Sequence, residues 1–333
     1  MYYPLLLSPI YKKMVWGGGR IKKIRGEAAD GLCIGESWDV SCRPDDMSLI
    51  RNGAYEGASL ENVILSDPSG WLGKGLSPAN PFPLLVKTID ACDNLSVQVH
   101  PGDADAFRLG GERLGKNEMW YVLDAPEYGY IILGVKEGVD RRTFGEAIRG
   151  GSIAELLNRL PVRKGDVIMI PEGTVHALTK GVMVIEIQQN SDVTFRIFDY
   201  NRKGLDGKPR PLHIEQALEV ADFSGKKEMT AVNGVAFETG FSKIIPYVKN
   251  SYFSADKYVV TGCLDRVSDP ERFCIYTNVA GEFMITSQGM ETNVKYGESV
   301  FIPAGLGNHA IKSRNGAECL ASRPAVTGKE EVL

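Results

Sequence analysis

Cysteine pairs of the C-x-x-C type are absent from the 333 residues, and the six cysteines (Cys33, Cys42, Cys92, Cys263, Cys274 and Cys319) are scattered. That spacing excludes a zinc ribbon, offers no disulfide framework, and predicts thiols that lie mostly in the interior. Long apolar runs are missing too, since none approaches the roughly 20 residues that a membrane span needs. The opening "MYYPLLLSPIYKK" lacks a basic leader followed by an apolar stretch and a small-residue cleavage site, so a cytoplasmic protein is expected. Charge of one sign is not in surplus: 38 Lys and Arg against 42 Asp and Glu leave a net charge of −4. No field attracts nucleic acid or an anionic membrane, and a phosphate-bearing substrate must be held by cations placed locally. Histidine is scarce, with His100, His176, His213 and His309 the only four.

What is present is β-forming sequence in quantity. Short runs such as "PFPLLVKTIDA", "LSVQVHP", "EMWYVLDA", "GYIILGV", "DVIMIPEG", "VMVIEIQQ" and "VTFRIFDY" are punctuated by Gly, Pro, Asn and Asp. Such punctuation predicts antiparallel sandwiches or barrels, not a parallel α/β sheet. Helical pattern is confined to "RRTFGEAIRG" after Asp140, to "SIAELLNRL", where Ser152 and Glu155 have capping-box spacing, and to "PLHIEQALEVADF" at 211–223. The length suits two domains. A repeat supports this: "GDVIMIPEGTVH" at 165–176 and "GESVFIPAGLGNH" at 297–309 share Gly, an acid, an aliphatic strand ending Ile-Pro, a Gly and a His. We place the boundary in the polar "GKKEMTAVNG", giving domains 1–225 and 226–333 with a short helical segment near 140–160 in the first. No histidine lies upstream of the second copy within its own domain, so that copy reads as structural, with His309 a turn or surface residue.

Chemistry concentrates in the first half. In the extended run "LSVQVHP", Gln98 and His100 point to the same face, opposite Val97 and Val99. In "GKNEMWYVL" the same alternation aligns Lys116, Glu118 and Trp120. With His176, two imidazoles and a carboxylate arise from three separate β segments, with Gln98 as a neutral oxygen donor. This donor set suits zinc and is acceptable to iron, manganese or cobalt. In "SDVTFRIFDYNR" the alternation puts Arg196 on an apolar strand, where a cation is costly unless it is paired or faces a ligand. Asp199 follows at the strand end. Trp16 stands beside Gly17–Gly19, glycines that permit a sharp bend or close backbone approach. His213, opening a helix after two prolines, reads as structural.

"VWGG", "GESW", "PFPLLVKTIDA", "LSVQVHP", "KNEMWYVL", "PEGTVHAL" and "NSDVTFRIFDYNR", in this order over residues 1–220, resemble the motif series of short bacterial type I mannose-6-phosphate isomerases. The resemblance implies a mainly β fold of two cupin-like jelly rolls, the second without metal ligands, in a monomer or weak homodimer. It implies one Zn2+ per chain held by Gln98, His100, Glu118 and His176, with Arg196 and Lys116 catalytic. Lys87, Trp16, Glu36 and Asp199 fall on the substrate side. The implied reaction interconverts mannose 6-phosphate and fructose 6-phosphate through a cis-enediol; Glu36, Asp199 or a metal-bound water is the candidate base. Asn117 departs from the proline that the family often has. Two histidines and a carboxylate also fit an iron(II) oxygenase, and the same pocket fits another sugar-phosphate isomerase or a non-catalytic sugar-phosphate-binding module.

Overall fold

Alternating β runs pair antiparallel throughout, as their turn-rich spacing predicts, in a computed structural model that describes residues 1–28, 31, 33–225 and 231–326. The expected domain boundary coincides with 226–230, outside the described residues. A six-stranded sheet runs in the order Val167–Ile170, Glu118–Asp124, Met183–Gln189, Leu84–Asp90, Ile34–Val40, Ile10–Gly18. A five-stranded sheet runs Leu157–Pro161, Tyr130–Val135, His176–Leu178, Val97–Val99, Phe195–Phe198. Trp120, Ile89 and Val122 from the first share an apolar cluster with Ile131, Leu133 and Leu178 from the second, which sets the two sheets face to face.

Each sheet is also covered behind. On the five-stranded sheet, Val97, Val99, Phe195 and Ile197 pack on the helices Arg141–Gly150 and Ile214–Val220 through Phe144, Ala217 and Leu218. Behind the six-stranded sheet, Leu84, Val86, Met119, Tyr121, Ile185 and Ile187 join Phe253, Phe301 and Leu320 of a nine-stranded C-terminal sheet, with Phe273 just before one of its strands. Leu84–Asp90 and Met183–Gln189 are therefore buried on both faces. The first strand, Leu5–Leu6, pairs with Ser299–Ile302 and so belongs to the C-terminal sheet, at the opposite end of the sequence.

Four local expectations need correction. The run 152–160 is not an α-helix: Gly151, at φ 76°, ends the preceding helix, Ser152 makes no capping hydrogen bond, and one turn at Ile153–Leu156 leads into a strand. Pairing of Leu157–Pro161 with Tyr130–Val135 outweighs the local amphipathic pattern. The helical segment thus shrinks to Arg141–Gly150, capped by the Asp140 carboxylate accepting from Thr143 N–H at 2.7 Å. The thiols are not mostly interior, because Cys33, Cys92 and Cys263 are exposed. His309 is neither a turn nor a surface residue; it opens the strand Asn308–Pro324 with 5 % exposure, its ring against the Tyr276 hydroxyl at 2.9 Å.

Candidate active site

Antiparallel register assembles one wall of the site residue by residue. Across the five-stranded sheet, Leu133, His176, Gln98 and Arg196 are successive partners and share a face. Across the six-stranded sheet, Trp120, Glu186, Lys87 and Trp38 form a second row. Glu118 lies two residues from Trp120 and so shares that inward face. His100 follows Val97–Val99 immediately, and its ring lies 4.8 Å from that of His176.

The ligand-type atoms of His100, Glu118 and His176 all fall within 4.8 Å of one another, in a fully buried group. Each imidazole has its Nδ1 2.9 Å from a backbone carbonyl, that of Val193 for His100 and that of Thr174 for His176. A carbonyl only accepts, so Nδ1 carries a proton in both rings, which leaves Nε2 as the nitrogen that presents a lone pair when the ring is neutral. Those lone pairs face Glu118, at 3.5 Å from His100 and 3.3 Å from His176. Both Glu118 oxygens are buried without a well-formed hydrogen bond among the described residues, although Lys116 Nζ lies 2.9 Å from one of them. Lys116 Nζ also lies 3.2 Å from His100 Nε2, and the Gln98 amide nitrogen lies 3.3 Å from His176 Nε2, so one ammonium and one amide are shared among all the converging acceptors; a cation among them would satisfy the rest. Hydrogen-bonded imidazoles of fixed tautomer beside a carboxylate are the arrangement that metal ligands require.

Electrostatics favour the ligating forms of His100 and Glu118. Burial, reinforced by Lys116, holds His100 well below the ordinary imidazole value. Burial pushes Glu118 upward, but the Lys116 ammonium beside it outweighs burial and holds the carboxyl well below the usual range. Lys116 itself is raised: burial opposes its charge, yet Glu118 and Glu186 prevail. Lys87 is raised in the same way, its burial outweighed by Glu36, Asp192 and Glu186 at 3.4, 3.5 and 3.7 Å.

This site sits in a chain with extended kinship. Residues 5–125 match the family model of the phosphomannose isomerase type I catalytic domain, and residues 243–322 match that of the mannose-6-phosphate isomerase cupin domain. "Probable mannose-6-phosphate isomerase GmuF" of Bacillus subtilis is 35 % identical over 97 % of this chain and 100 % of its own. The chain belongs to the type I mannose-6-phosphate isomerases. The mannose-6-phosphate isomerase of Streptococcus mutans is 34 % identical over 91 % of this chain and 93 % of its own. The crystal structure of the Bacillus subtilis mannose 6-phosphate isomerase superposes with a TM-score of 0.88 at 30 % identity, covering 96 % of this chain and 99 % of that one. The cupin-type β fold expected from the motifs is thereby established.

The remaining sequence-predicted residues fall at different distances from the buried triad. Arg196 is half-buried; one guanidinium nitrogen donates to Pro211 O at 3.0 Å, while its Nε is buried without a partner among the described residues. His213 Nδ1 accepts from Arg196 N–H at 3.2 Å and so fixes that strand end. Glu36 accepts from Trp38 Nε1 at 2.8 Å, and Lys87 stands 4.7 Å over the Trp38 ring. Asp199 is committed to Arg210 and Arg202, accepting from their Nε atoms at 2.7 and 2.9 Å. Trp16 packs in the apolar cluster with Trp120 and Ile168, and Gly17 lets the backbone pass against Ile34 and Gly35, where a Cβ would come within 2.4 Å of Gly35 N.

One group, Glu186, escaped the sequence reading, and the role of Asn117, noted there only as a departure, escaped it too. Glu186 accepts from Trp120 Nε1 at 2.8 Å and faces both lysines; burial and the neighbouring Glu118 raise it. A lone carboxylate in "VMVIEIQQ" is the signal that could have found it, being as costly on that strand as Arg196 is on its own. Asn117, where the family often has proline, donates its backbone N–H to Gln189 at 2.9 Å and its amide to Glu172 at 3.0 Å. It ties three segments together beside Lys116 and Glu118.

Proposed function

We propose that this chain interconverts mannose 6-phosphate and fructose 6-phosphate at the His100–Glu118–His176 centre, with one zinc ion per chain and a cis-enediol intermediate. The observation that carries the reading is the convergence of two imidazoles, each with Nδ1 held by a carbonyl, on one buried carboxylate, flanked by Gln98, Lys116 and Arg196. His100, Glu118 and His176 would hold the ion, and Gln98, now 3.3 Å from His176 through its amide nitrogen, would supply its oxygen after a half-turn of the amide. When bound, the ion supplies a Lewis acid that stabilises negative charge on the sugar oxygens.

The protein's own groups do the rest. Isomerisation takes a proton from C2 and delivers one to C1, while the hydroxyl proton at O2 is lost and O1 gains one. Lys116, held as an ammonium, offsets the charge that builds on oxygen as carbon loses its proton. Arg196 offers an always-charged fork on the same wall for a developing oxyanion or for the phosphate. Lys87, Trp38 and Glu36 shape the adjoining face, and Trp16 supports it from the core. Asp199 holds Arg202 and Arg210 in place, so among the side-chain candidates for the base Glu36 is the less committed carboxylate. Residues 1–225 form the catalytic unit in this reading and 226–333 the second β unit. The chain acts as a soluble cytoplasmic enzyme on a small sugar phosphate.

Zinc-supplemented protein incubated with fructose 6-phosphate should yield mannose 6-phosphate. Lys116→Met and Arg196→Gln should each lower kcat by about 100-fold or more while the fold persists. No interconversion by the zinc-loaded wild type would refute the assignment.

A further inference from the structure

The C-terminal β unit contains a cavity of about 450 Å³ that the isomerase site does not use. It lies where the repeated sequence motif ends. His309 holds the position in the second copy that His176 holds in the first, yet its surroundings are of opposite polarity. His176 Nε2 faces the Glu118 carboxylate. His309 Nε2 faces the Tyr276 hydroxyl, and Arg266 and Arg323 stand near enough to reinforce the burial that keeps the ring neutral. A place that favours a cation in one half has become a place that favours an anion in the other.

The lining carries four cations, Lys249, Arg266, Arg272 and Arg323, against two carboxylates, Asp256 and Asp269. Arg323 is paired with Asp256 at 2.8 Å and Arg272 with Asp269 at 3.0 Å, which consumes both carboxylates. Arg266 has no carboxylate partner among the described residues; its guanidinium lies 5.1 Å over the Tyr258 ring. Ser268 Oγ is buried at the same wall without a hydrogen-bond partner among the described residues. An arginine lacking a carboxylate partner among the described residues and an unsatisfied hydroxyl in one cavity are both groups that a phosphate monoester satisfies, the guanidinium by a two-pronged contact. The volume lies within the roughly 300–1,000 Å³ of small-molecule sites.

We propose that this cavity is a second, non-catalytic site for a small phosphate-bearing metabolite. Calorimetric titration of the full-length, zinc-loaded protein with inorganic phosphate and, separately, with fructose 6-phosphate tests it. Wild type should bind one more phosphate group per chain than Arg266→Gln, or bind it at least tenfold more tightly. Ser268→Phe, which puts a bulky ring into the cavity beside Arg266 and leaves the arginine in place, should remove the same site and stands in should R266Q fail to fold. Isomerase kcat/KM at low substrate should remain within twofold in both variants. Loss with fructose 6-phosphate alone would identify a sugar phosphate as occupant, and loss with both ligands would show that phosphate suffices. Equal stoichiometry and affinity in wild type and the folded variants would overturn the proposal. Because the readout is the difference in binding, absence of isomerase activity would leave it intact.

Discussion

His100 and His176 each commit Nδ1 to a carbonyl, and this decides what their other nitrogens can do: accept, or bind a cation. Asp199 shows the opposite commitment. Burial raises its carboxyl, but Arg210 and Arg202 outweigh burial and lower it below the ordinary 3.8. A depressed carboxylate contributes stability that is complete above its unfolded value and is lost as pH falls through its folded value. Asp199→Asn should therefore cost on the order of 1–2 kcal/mol at pH 7, and that gap should close below about pH 4. Urea melts of both proteins from pH 3 to 8 check this; a gap constant down to pH 3 would contradict it. At this scale the sequence was informative wherever a polar residue interrupted an apolar alternation, as at Gln98, Glu118 and Arg196. It was silent on pairing, so Asp199 looked like a free carboxylate and His309 like a surface residue, because their partners lie far away along the chain or across the fold.

Among elements, the site depends on how closely two loops approach. A Cβ on Gly115 would come within 2.5 Å of the Gly102 carbonyl carbon and 2.6 Å of Asp103 N, both backbone atoms that cannot rotate away. Gly102 follows His100 by two residues, and Gly115 precedes Lys116. Gly115→Ala should push the strand bearing Lys116 and Glu118 away from His100 and weaken zinc binding by about 10–100-fold. Competition with a chromophoric chelator measures this, and unchanged affinity would show that the loops are not coupled to the site. Strand periodicity was legible along "LSVQVHP" and "VTFRIFDY" because Gln98 alternates with Val97 and Val99, and Arg196 with Phe195 and Ile197. The stretch 152–160 misled because its local pattern satisfies a helix as well as a strand, and only pairing with Tyr130–Val135 distinguishes them.

For the molecule as a whole, the back of the catalytic sheet is the core of both halves. Phe273, fully buried, stacks between Phe82 and Phe301 with ring centroids 5.0 and 4.9 Å away, inside a cluster that includes Leu84, Met119 and Ile185. Phe273→Ala should cost about 3–5 kcal/mol. Because this core is shared, wild type and variant should each lose isomerase activity and far-UV circular dichroism at the same urea midpoint. Activity surviving after much of the β signal has gone would show that the halves unfold separately. The β-rich class and the repeated motif were readable from turn spacing. The pairing of Leu5–Leu6 with Ser299–Ile302 was not, since no local property of the first ten residues reports a partner nearly 300 positions away.

The central claim, that imidazoles 100 and 176 and carboxylate 118 share one cation, is tested most directly by anomalous diffraction at the zinc edge from zinc-loaded crystals of wild type and Glu118→Gln. One peak per chain within coordination distance of both Nε2 atoms and the Glu118 carboxylate, lost or sharply reduced in the variant, is the predicted result. A peak elsewhere with none between these side chains, or one of equal height in Glu118→Gln, would contradict it.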